Sequence, residues 1–219
     1  MPITCNNSVS QPATDQPPQI KHSRHVETRE KAVTLFARRG FSQVGLRELA
    51  THLGINAGSI YNHIESKEAL LFELIETLYE DLIDIVTRPI RTAVPAEKQL
   101  NDLITAHLDL HEEKSDFFRV AEHDFHCLEA KHQTLIVTLR QRYESHLIAL
   151  LKPIGISPNH SMATATVRTF SCMLNNLPAW TANIGLDPKA HRIFLRNIAL
   201  SVVRGAMEKP SRAVSLSKM

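Results

Sequence analysis

The sequence predicts an all-α protein of about nine helices, and three observations lead to this fold class. Between residues 20 and 207, apolar side chains recur mostly at the three- and four-residue spacing of a helix face. No segment shows the alternation of apolar and polar residues that is typical of a half-buried strand. Glycine and proline, seven and eleven of 219 residues, mark most of the breaks between the periodic segments.

The first four helices are predicted at residues 23–39, 46–53, 57–63 and 67–88. Gly40 ends the first of them, because glycine favours the backbone conformation that follows a helix. Ser66 is a favourable N-cap for the fourth helix, whose broad apolar stripe continues until Pro89. That helix is long enough to join two domains.

Five further helices are predicted at residues 95–113, 115–127, 129–151, 159–184 and 188–207. Residues 1–20 contain four of the eleven prolines and few large apolar residues, so they are expected to form a disordered arm. Residues 208–219 are expected to be a similar tail.

Composition and charge narrow the functional classes. The three cysteines, Cys5, Cys127 and Cys172, are far apart and form no C-x-x-C pair, so neither a disulfide framework nor a cysteine-rich zinc site is expected. A protein of the reducing cytoplasm fits this pattern best. No secretory signal or membrane span is predicted. Residues 20–67 carry eight Lys or Arg against four acids, whereas residues 68–207 carry fourteen against seventeen. This asymmetry suggests that the first part meets a polyanion.

A helix-turn-helix is predicted from the stretch ELATHLGINAGSIYNHI. It has a small residue, Ala50, where two helices would cross, a glycine, Gly54, at the turn, and a branched anchor, Ile60, ten positions after the small residue. Asn56 is placed to cap the second helix. The plainer alternative is a tight helix pair that is only part of a core.

The start of that second helix is made of small residues, Ala57, Gly58 and Ser59. Side chains without bulk allow a helix end to enter a major groove, where Ser59 would read base edges. Tyr61, His63 and Lys67 lie farther along the chain and are predicted to donate hydrogen bonds to phosphates.

Gly40-Phe41, LRELA, GINAGSIYNHI and SKEALL together resemble the DNA-binding domain of TetR-family transcriptional regulators, over about residues 24–75. The resemblance implies a three-helix head joined to a helical body that binds a ligand and dimerises. It also implies DNA contacts for Arg47, Ser59, Tyr61, His63 and Lys67, and the protein is then not an enzyme. Val44 and Gly45 depart from the family pattern, which usually has a hydroxyl-bearing residue before LRELA. The expected domains are a helix-turn-helix domain at 21–67 and a ligand-binding and dimerisation domain at 68–207.

The body shows a second resemblance, in LRQRYESHL (139–147) and MLNNLPAW (173–180), to the branch of this family that regulates fatty-acid and steroid catabolism. That resemblance implies a small effector, with an acyl-CoA thioester as one candidate and another apolar or aromatic compound as the alternative. Asn176, Ala179 and Thr181 depart from that branch, which often has aromatic or basic residues there. The family resemblance further implies a homodimer through the last two helices, a palindromic double-stranded DNA operator and release of a repressor by its effector.

An apolar pocket with a few polar groups is expected between the body helices. The candidate lining residues are His107, Phe117, Phe118, Phe125, Tyr143, Leu174, Asn175 and Trp180. Each of them could equally be plain core. Pro178, inside a predicted helix, frees the carbonyl near Leu174, which could turn Asn175 and Asn176 toward a cavity.

Two alternatives remain open at the level of sequence. A metal-responsive regulator would gather a divalent cation with histidines of two helices, namely His107, His111, His123 and His126. A helical enzyme would use those histidines with Glu122 or Asp124 as acid and base groups. The sequence contains none of the standard nucleotide-binding or hydrolase motifs. We therefore expect no cofactor and no bound metal.

Overall fold

A computed structural model describes residues 18–88, 94–156 and 159–207. Within these ranges the chain forms eight α-helices and four short 3₁₀ helices, with no strand. The all-α fold class is therefore confirmed. Positions 1–17 of the arm expected at residues 1–20, and the tail expected at 208–219, lie outside the described residues.

The eight α-helices are numbered in chain order. They are α1 (Pro18–Arg39), α2 (Leu46–Leu53), α3 (Lys67–Thr87), α4 (Ala96–Glu113), α5 (Ser115–His123), α6 (Ala130–Leu151), α7 (His160–Trp180) and α8 (Pro188–Met207). The 3₁₀ helices are Phe41–Gln43, Ala57–Asn62, Phe125–Cys127 and Lys152–Ile154. We call α1, α2 and Ala57–Asn62 the head, and α4 to α8 the body.

Helix α3 lies at the centre of the molecule because its apolar stripe is wide enough to be covered from several sides. Nine of its side chains are buried, among them Leu71, Ile75 and Leu82 at 0% exposure. It packs along α6 and against α5, and it also meets α1 and α4. Burial of each such side chain contributes about 1.5–3 kcal/mol before entropy is counted. These contacts place α3 against helices of both the head and the body.

The helix caps show why the elements begin where they do. Ser66 Oγ accepts a hydrogen bond from the Ala69 amide at 2.9 Å, as its position before α3 predicted. Gly45 caps α2 without a side chain, and Gly54 ends that helix in the left-handed conformation with φ of 72°. The bounds of these two helices agree with the sequence prediction within one residue.

Four predictions about the helices are wrong. The first helix begins at Pro18 rather than at residue 23, so the last three residues of the expected arm are helical. The second helix of the pair, predicted as an ordinary helix over 57–63, is a 3₁₀ helix at Ala57–Asn62. Helix α5 ends at His123 rather than at residue 127, because the Asp124 carboxylate binds the head and the chain turns there. Helix α7 ends at Trp180 rather than at 184.

Helix α5 connects head and body. It packs on α1 of the head, on the central α3, and on α4 and α7 of the body. In the body, α7 packs on α8, and both lie against α4. Among the described helices, none combines the length and the apolar character required to span a bilayer.

Candidate functional site

The helix-turn-helix constellation folds as its spacing predicted. Ala50 and Ile60 are each 1% exposed, so the small crossing residue and the branched anchor both lie in the core. The Gly54 and Ile55 amides bond back to carbonyls of α2 at 3.1 and 3.0 Å, which closes the turn. These bonds set the angle at which the segment after Gly54 leaves α2.

We call Ala57–Asn62 the tip segment. The Asn56 side chain accepts a hydrogen bond from the Gly58 amide at 3.0 Å, which is the N-cap that the sequence predicted. The Ser59 amide and hydroxyl both donate to the Asn56 carbonyl, at 2.9 Å each. These short-range bonds favour the tighter 3₁₀ winding.

The predicted DNA-contacting side chains are mostly exposed around this tip. Arg47, Ala57, Gly58 and His63 are exposed, and Tyr61 has 64% of its surface accessible although it is a large aromatic residue. Ser59 is half-buried, and its hydroxyl hydrogen already bonds to the Asn56 carbonyl. No bulky side chain therefore projects from Ala57 and Gly58, whereas the Tyr61 phenol projects into solvent close to them in the chain.

Lys67 lies differently from the expectation that its ammonium would be directed to phosphate. Its Nζ donates to the Phe41 carbonyl at 2.9 Å and to the Val44 carbonyl at 2.7 Å, and it lies 4.1 Å from the centre of the Phe41 ring. Burial lowers the pKa of Lys67, while Cys127 and Asp124 favour its charged form. Two of the three N–H donors therefore fix the turn between α1 and α2, which leaves one for a phosphate.

The turn that Lys67 holds, residues 41–44, also contacts the body; we call it the head turn. The Phe41 amide donates to Asp124 Oδ1 at 3.3 Å, and Ser42 Oγ lies 3.3 Å from Cys127 Sγ. Burial raises the pKa of Asp124, and the Phe41 amide lowers it. The head turn is thus held from one side by α3 and from the other by the residues that follow α5.

A second contact joins the start of α3 to the start of α6. Glu68 accepts a hydrogen bond from the Glu129 amide at 2.8 Å, and its carboxylate lies 2.8 Å from His132 Nδ1. The His132 ring also stacks on Phe72, with centroids 4.2 Å apart. Sequence reasoning missed this contact, since Glu68 and His132 are 64 positions apart.

In the body, the structure brings together five of the eight predicted pocket residues. They are His107, Phe118, Tyr143, Leu174 and Asn175, all buried at 9% exposure or less. They come from α4, α5, α6 and α7, so four helices meet at this point. The pocket residues that the structure places elsewhere are described below.

His107 is the most deeply buried histidine of this cluster, at 0% exposure. Its Nδ1 lies 3.4 Å from the Tyr143 hydroxyl, and the ring also forms a hydrogen bond with the Asn175 side chain. Burial, followed by neighbouring His111, lowers the pKa of His107 to about 3, against small opposing effects from Asn175 and Leu174. His107 is therefore neutral at physiological pH.

Asn175 connects this cluster to α5. Its Nδ2 donates to Glu122 Oε1 at 3.0 Å, and its backbone carbonyl lies 3.1 Å from His111 Nε2. Its side chain also forms a hydrogen bond with the buried His107 ring. Burial lowers the pKa of His111, which favours the neutral form of this ring as well.

Two cavities open on either side of Asn175, with volumes of about 240 and 150 Å³. Asn175 and Glu122 line both cavities. The larger one is also lined by His111, Phe118, Arg119, Asn176 and Trp180, and the smaller one by Tyr79, Arg140, Tyr143, Ser171 and Cys172. The lining is richer in polar groups than the apolar pocket that we expected.

The sequence contained a signal for part of this lining. Ser171, Asn175 and Ala179 are four positions apart on α7, so they share one face of that helix. Glu122 and Arg140 gave no comparable signal, because their part in the cavities depends on how α5 and α6 pack against α7.

Three predicted pocket residues lie outside the cluster. Phe117 lines a separate cleft of about 400 Å³ between α1, α3 and the start of α5. Phe125 is half-buried, with the Arg140 guanidinium 4.5 Å from its ring centre. Trp180 is 72% exposed and lies at the mouth of the larger cavity rather than inside a pocket, because α7 ends there.

The four histidines of the metal alternative do not converge. His107 and His111 are buried and bond to Tyr143 and Asn175, whereas His123 and His126 are exposed. Over the described residues, no three His, Cys, Asp or Glu side chains come close enough to hold a metal ion. The geometry thus gives this alternative no support.

Helices α7 and α8 expose apolar side chains that a monomer would leave in water. Met162 is 55% exposed, Ile193 45%, and Phe194 and Ile198 37% each. These residues lie on the two helices that the sequence assigned to a dimer interface. Apolar patches of this kind are typical of protein contact surfaces.

Comparison with known proteins places this geometry in a family. Residues 29–74 match the family model of bacterial regulatory proteins of the tetR family, and residues 93–191 match the tetracyclin repressor-like C-terminal domain. Together the two models cover about two thirds of the chain. The first model covers most of the head and the start of α3, and the second covers most of the body.

Individual relatives agree with this assignment. The HTH-type transcriptional repressor KstR2 of Rhodococcus jostii (strain RHA1) is 32% identical over 85 residues, which cover 39% of this chain and 42% of the relative. The chain thus matches less than half of the length of this curated relative. The structure of the TetR-family regulator PfmR from Thermus thermophilus has a TM-score of 0.67 at 24% identity, covering 83% of this chain and 99% of that one.

A further solved structure, of AibR in complex with isovaleryl coenzyme A and operator DNA, has a TM-score of 0.65 at 17% identity. It covers 80% of this chain and 97% of that one. At these identities the likeness to PfmR and AibR concerns the fold. From the two family models and the helix-turn-helix geometry together, we conclude that the chain belongs to the TetR family of transcriptional regulators.

Proposed function

We propose that the chain is a repressor in a bacterial cytoplasm that binds a palindromic DNA operator as a homodimer and releases it when a small effector binds the body. The observation that carries this proposal is the shape of the tip segment. Ala57 and Gly58 leave room for a duplex, and the exposed Tyr61 phenol stands beside them on the same helix pair. The excess of basic residues in the head supports the same assignment.

The relatives support two finer parts of this proposal. KstR2 of Rhodococcus jostii is named a repressor, which favours repression over activation. AibR was solved with isovaleryl coenzyme A and operator DNA, which favours an acyl-CoA thioester as the effector class. Such an effector would act on the α3 position, and hence on the distance between two heads, by binding one arrangement more tightly than the other.

DNA binding is tested with the DNA that flanks the gene of the protein. We expect labelled fragments to bind in fluorescence anisotropy, and isovaleryl coenzyme A to weaken this binding. Tyr61→Phe removes one hydrogen bond to a phosphate, so we expect it to lower the affinity of the protein for all DNA sequences by about fivefold. Ser59→Ala is expected to change the preference among operator variants instead, because base contacts carry specificity.

The two substitutions control for each other, since both lie on the tip segment and neither side chain fills the core. A change of sequence preference by Tyr61→Phe, with no general loss of affinity, would contradict the role assigned to the phenol. If the wild-type protein bound operator and random DNA equally at physiological salt, the proposal of a specific regulator would be wrong.

Dimerisation is tested on α8. Phe194→Glu places a charge on the exposed apolar face of α7 and α8, so we expect a monomer in sedimentation velocity and operator affinity lowered by about tenfold or more. Leu135→Glu is the control, because Leu135 is also an exposed apolar residue, 50% accessible, but lies on α6. A dimer that persisted in the Phe194 variant and dissociated in the Leu135 variant would move the interface to α6.

A further inference from the structure

The hydroxyl group of Ser59 has a defined direction in the tip segment. Its hydrogen donates to the Asn56 carbonyl at 2.9 Å, since a carbonyl oxygen can only accept a hydrogen bond. The Ser59 amide donates to the same carbonyl, also at 2.9 Å. If the hydroxyl turned its hydrogen outward, it would lose the first of these bonds. The hydrogen of this hydroxyl is therefore already in use before any DNA is bound.

The part of Ser59 that remains available is the acceptor side of its oxygen. A serine hydroxyl has one donor and two acceptor lone pairs, and here the donor is occupied. Within the described part of the chain, no group donates to Ser59 Oγ. Donation to a carbonyl also polarises the O–H bond, which makes the oxygen a stronger acceptor. Ser59 thus offers an acceptor, and no donor, to a binding partner.

The Ser59 oxygen lies at the end of the tip segment that a duplex can approach. The two residues before it, Ala57 and Gly58, are exposed and have little or no side chain. A methyl group at Gly58 would come no closer than 3.8 Å to another side chain, that of Asn56, so the space beside Gly58 is open. In a helix-turn-helix, the first residues of the second helix contact base edges. Ser59 Oγ, bonded to the carbonyl that begins this segment, belongs to that end.

We propose that Ser59 recognises bases with an amino group in the major groove, so that each half-site carries adenine or cytosine, and neither guanine nor thymine, at the base that Ser59 contacts. This inference rests on the proposed function and names the base chemistry that the tip segment recognises.

The preference follows from the major-groove edges of the four bases. Adenine offers its N6 amino group and cytosine its N4 amino group, and both are hydrogen-bond donors. Guanine has O6 and thymine has O4 at the corresponding places, and these oxygens only accept. Two acceptors that face each other form no hydrogen bond, and both lose their bonds to water. Ser59 therefore discriminates against guanine and thymine.

The bond to the Asn56 carbonyl is the origin of this selectivity. A serine whose hydrogen is free can donate to guanine or thymine as readily as it accepts from adenine or cytosine. In the tip segment the hydrogen is held by Asn56, and only the second of these two modes is left. The local fold thus converts an unselective side chain into a selective one.

The base preference is tested by selecting duplexes from a library with a random central sequence, followed by fluorescence anisotropy with single-base variants. At the half-site position whose preference changes in Ser59→Ala, we expect the wild type to bind adenine or cytosine about fivefold more tightly than guanine or thymine. Thr51→Ala is the matched control and should keep the preference. The exposed Thr51 hydroxyl also donates to a backbone carbonyl, that of Arg47, but it lies on α2. A preference for guanine or thymine that depends on Ser59 would overturn the proposal.

Modified duplexes test the same contact without a change in the protein. Where adenine is preferred, 2-aminopurine keeps the pairing with thymine but carries its amino group in the minor groove. Where cytosine is preferred, N4-methylcytosine replaces the major-groove N–H by a methyl group. Either base is expected to lower the affinity of the wild type by about fivefold and to leave that of Ser59→Ala unchanged. An equal loss in both proteins would show that another residue recognises the amino group, and the proposal would be wrong.

These outcomes distinguish the inference from the function on which it rests. A wild-type protein that selected a defined operator, but whose base preferences were the same in Ser59→Ala, would keep the proposed function and lose the inference. If the wild type selected no sequence from the library, both would be wrong.

Discussion

Lys67→Met is expected to lower the free energy of unfolding by about 2 kcal/mol and to lower operator affinity by about tenfold or more. The substitution keeps the length and much of the apolar stem of the side chain, but it removes the donors to the Phe41 and Val44 carbonyls. The cation placed 4.1 Å from the Phe41 ring is lost as well. The head turn then loses its contact with α3.

The size of this effect is the balance of two opposing contributions. Hydrogen bonds from a charged donor contribute about 1.5–3 kcal/mol each. Partial burial of the ammonium opposes them, as the lowered pKa of Lys67 shows, and the Phe41 carbonyl keeps a second bond to the Val44 amide at 3.2 Å. The hydrogen bonds outweigh the burial because two of them form at once.

Urea denaturation and anisotropy with operator DNA measure the two effects of this substitution. Lys131→Met is the control, since the Lys131 side chain is 69% exposed and pairs only at the surface with Glu129. A Lys67 variant with wild-type stability and tenfold weaker binding would show that phosphate contact, rather than the head turn, is its main role.

The stability of the body is expected to fall on acidification below about pH 6.5, and His107 is the main reason. Its pKa is about 3 in the folded protein and 6.5 without the fold. Between these values the unfolded chain binds the extra proton, so lowering the pH favours unfolding by up to about 1.4 kcal/mol per pH unit. The loss summed over this window is on the order of 5 kcal/mol.

Urea midpoints between pH 7.5 and 4.5 measure this dependence. His107→Gln removes the titrating group and keeps a polar side chain, so its midpoint should depend less on pH than that of the wild type. His126→Gln is the control, because His126 is exposed. The buried position of His107 would be contradicted if the His107 variant lost as much stability on acidification as the wild type.

The helix-turn-helix could be predicted from sequence because its determinants are local. Ala50, Gly54 and Ile60 lie within eleven positions, and each one satisfies a need of the backbone or of the crossing between helices. The Asn56 cap acts over two residues. Such short-range requirements leave their pattern in the sequence, and the structure confirms them.

The functional detail of the body depended on contacts between distant residues. Glu122 bonds to Asn175 across 53 positions, and the burial of His107 requires α4, α5, α6 and α7 to meet. A histidine pair four positions apart gives the same pattern whether it faces solvent, a metal ion or a core. The packing of the four helices distinguishes between these environments, whereas the spacing of residues in the sequence does not.

Lys67 illustrates the same limit within the head. A basic residue at the start of a helix beside a groove-binding segment is well placed for phosphate, and the sequence predicted that role. The structure adds the two carbonyls of the head turn, which come close because the 3₁₀ helix at Phe41–Gln43 folds back toward α3. Sequence distance concealed the second role.

The 3₁₀ winding of Ala57–Asn62 limits how much of a binding sequence one subunit can inspect. At about 2 Å per residue, six residues extend about 12 Å, which equals the rise of only three or four base pairs. So short a probe gives each half-site little information. Discrimination among genomic sites would then fall largely to the spacing between half-sites, where one inserted base pair turns the second half-site by about 35° around the duplex axis.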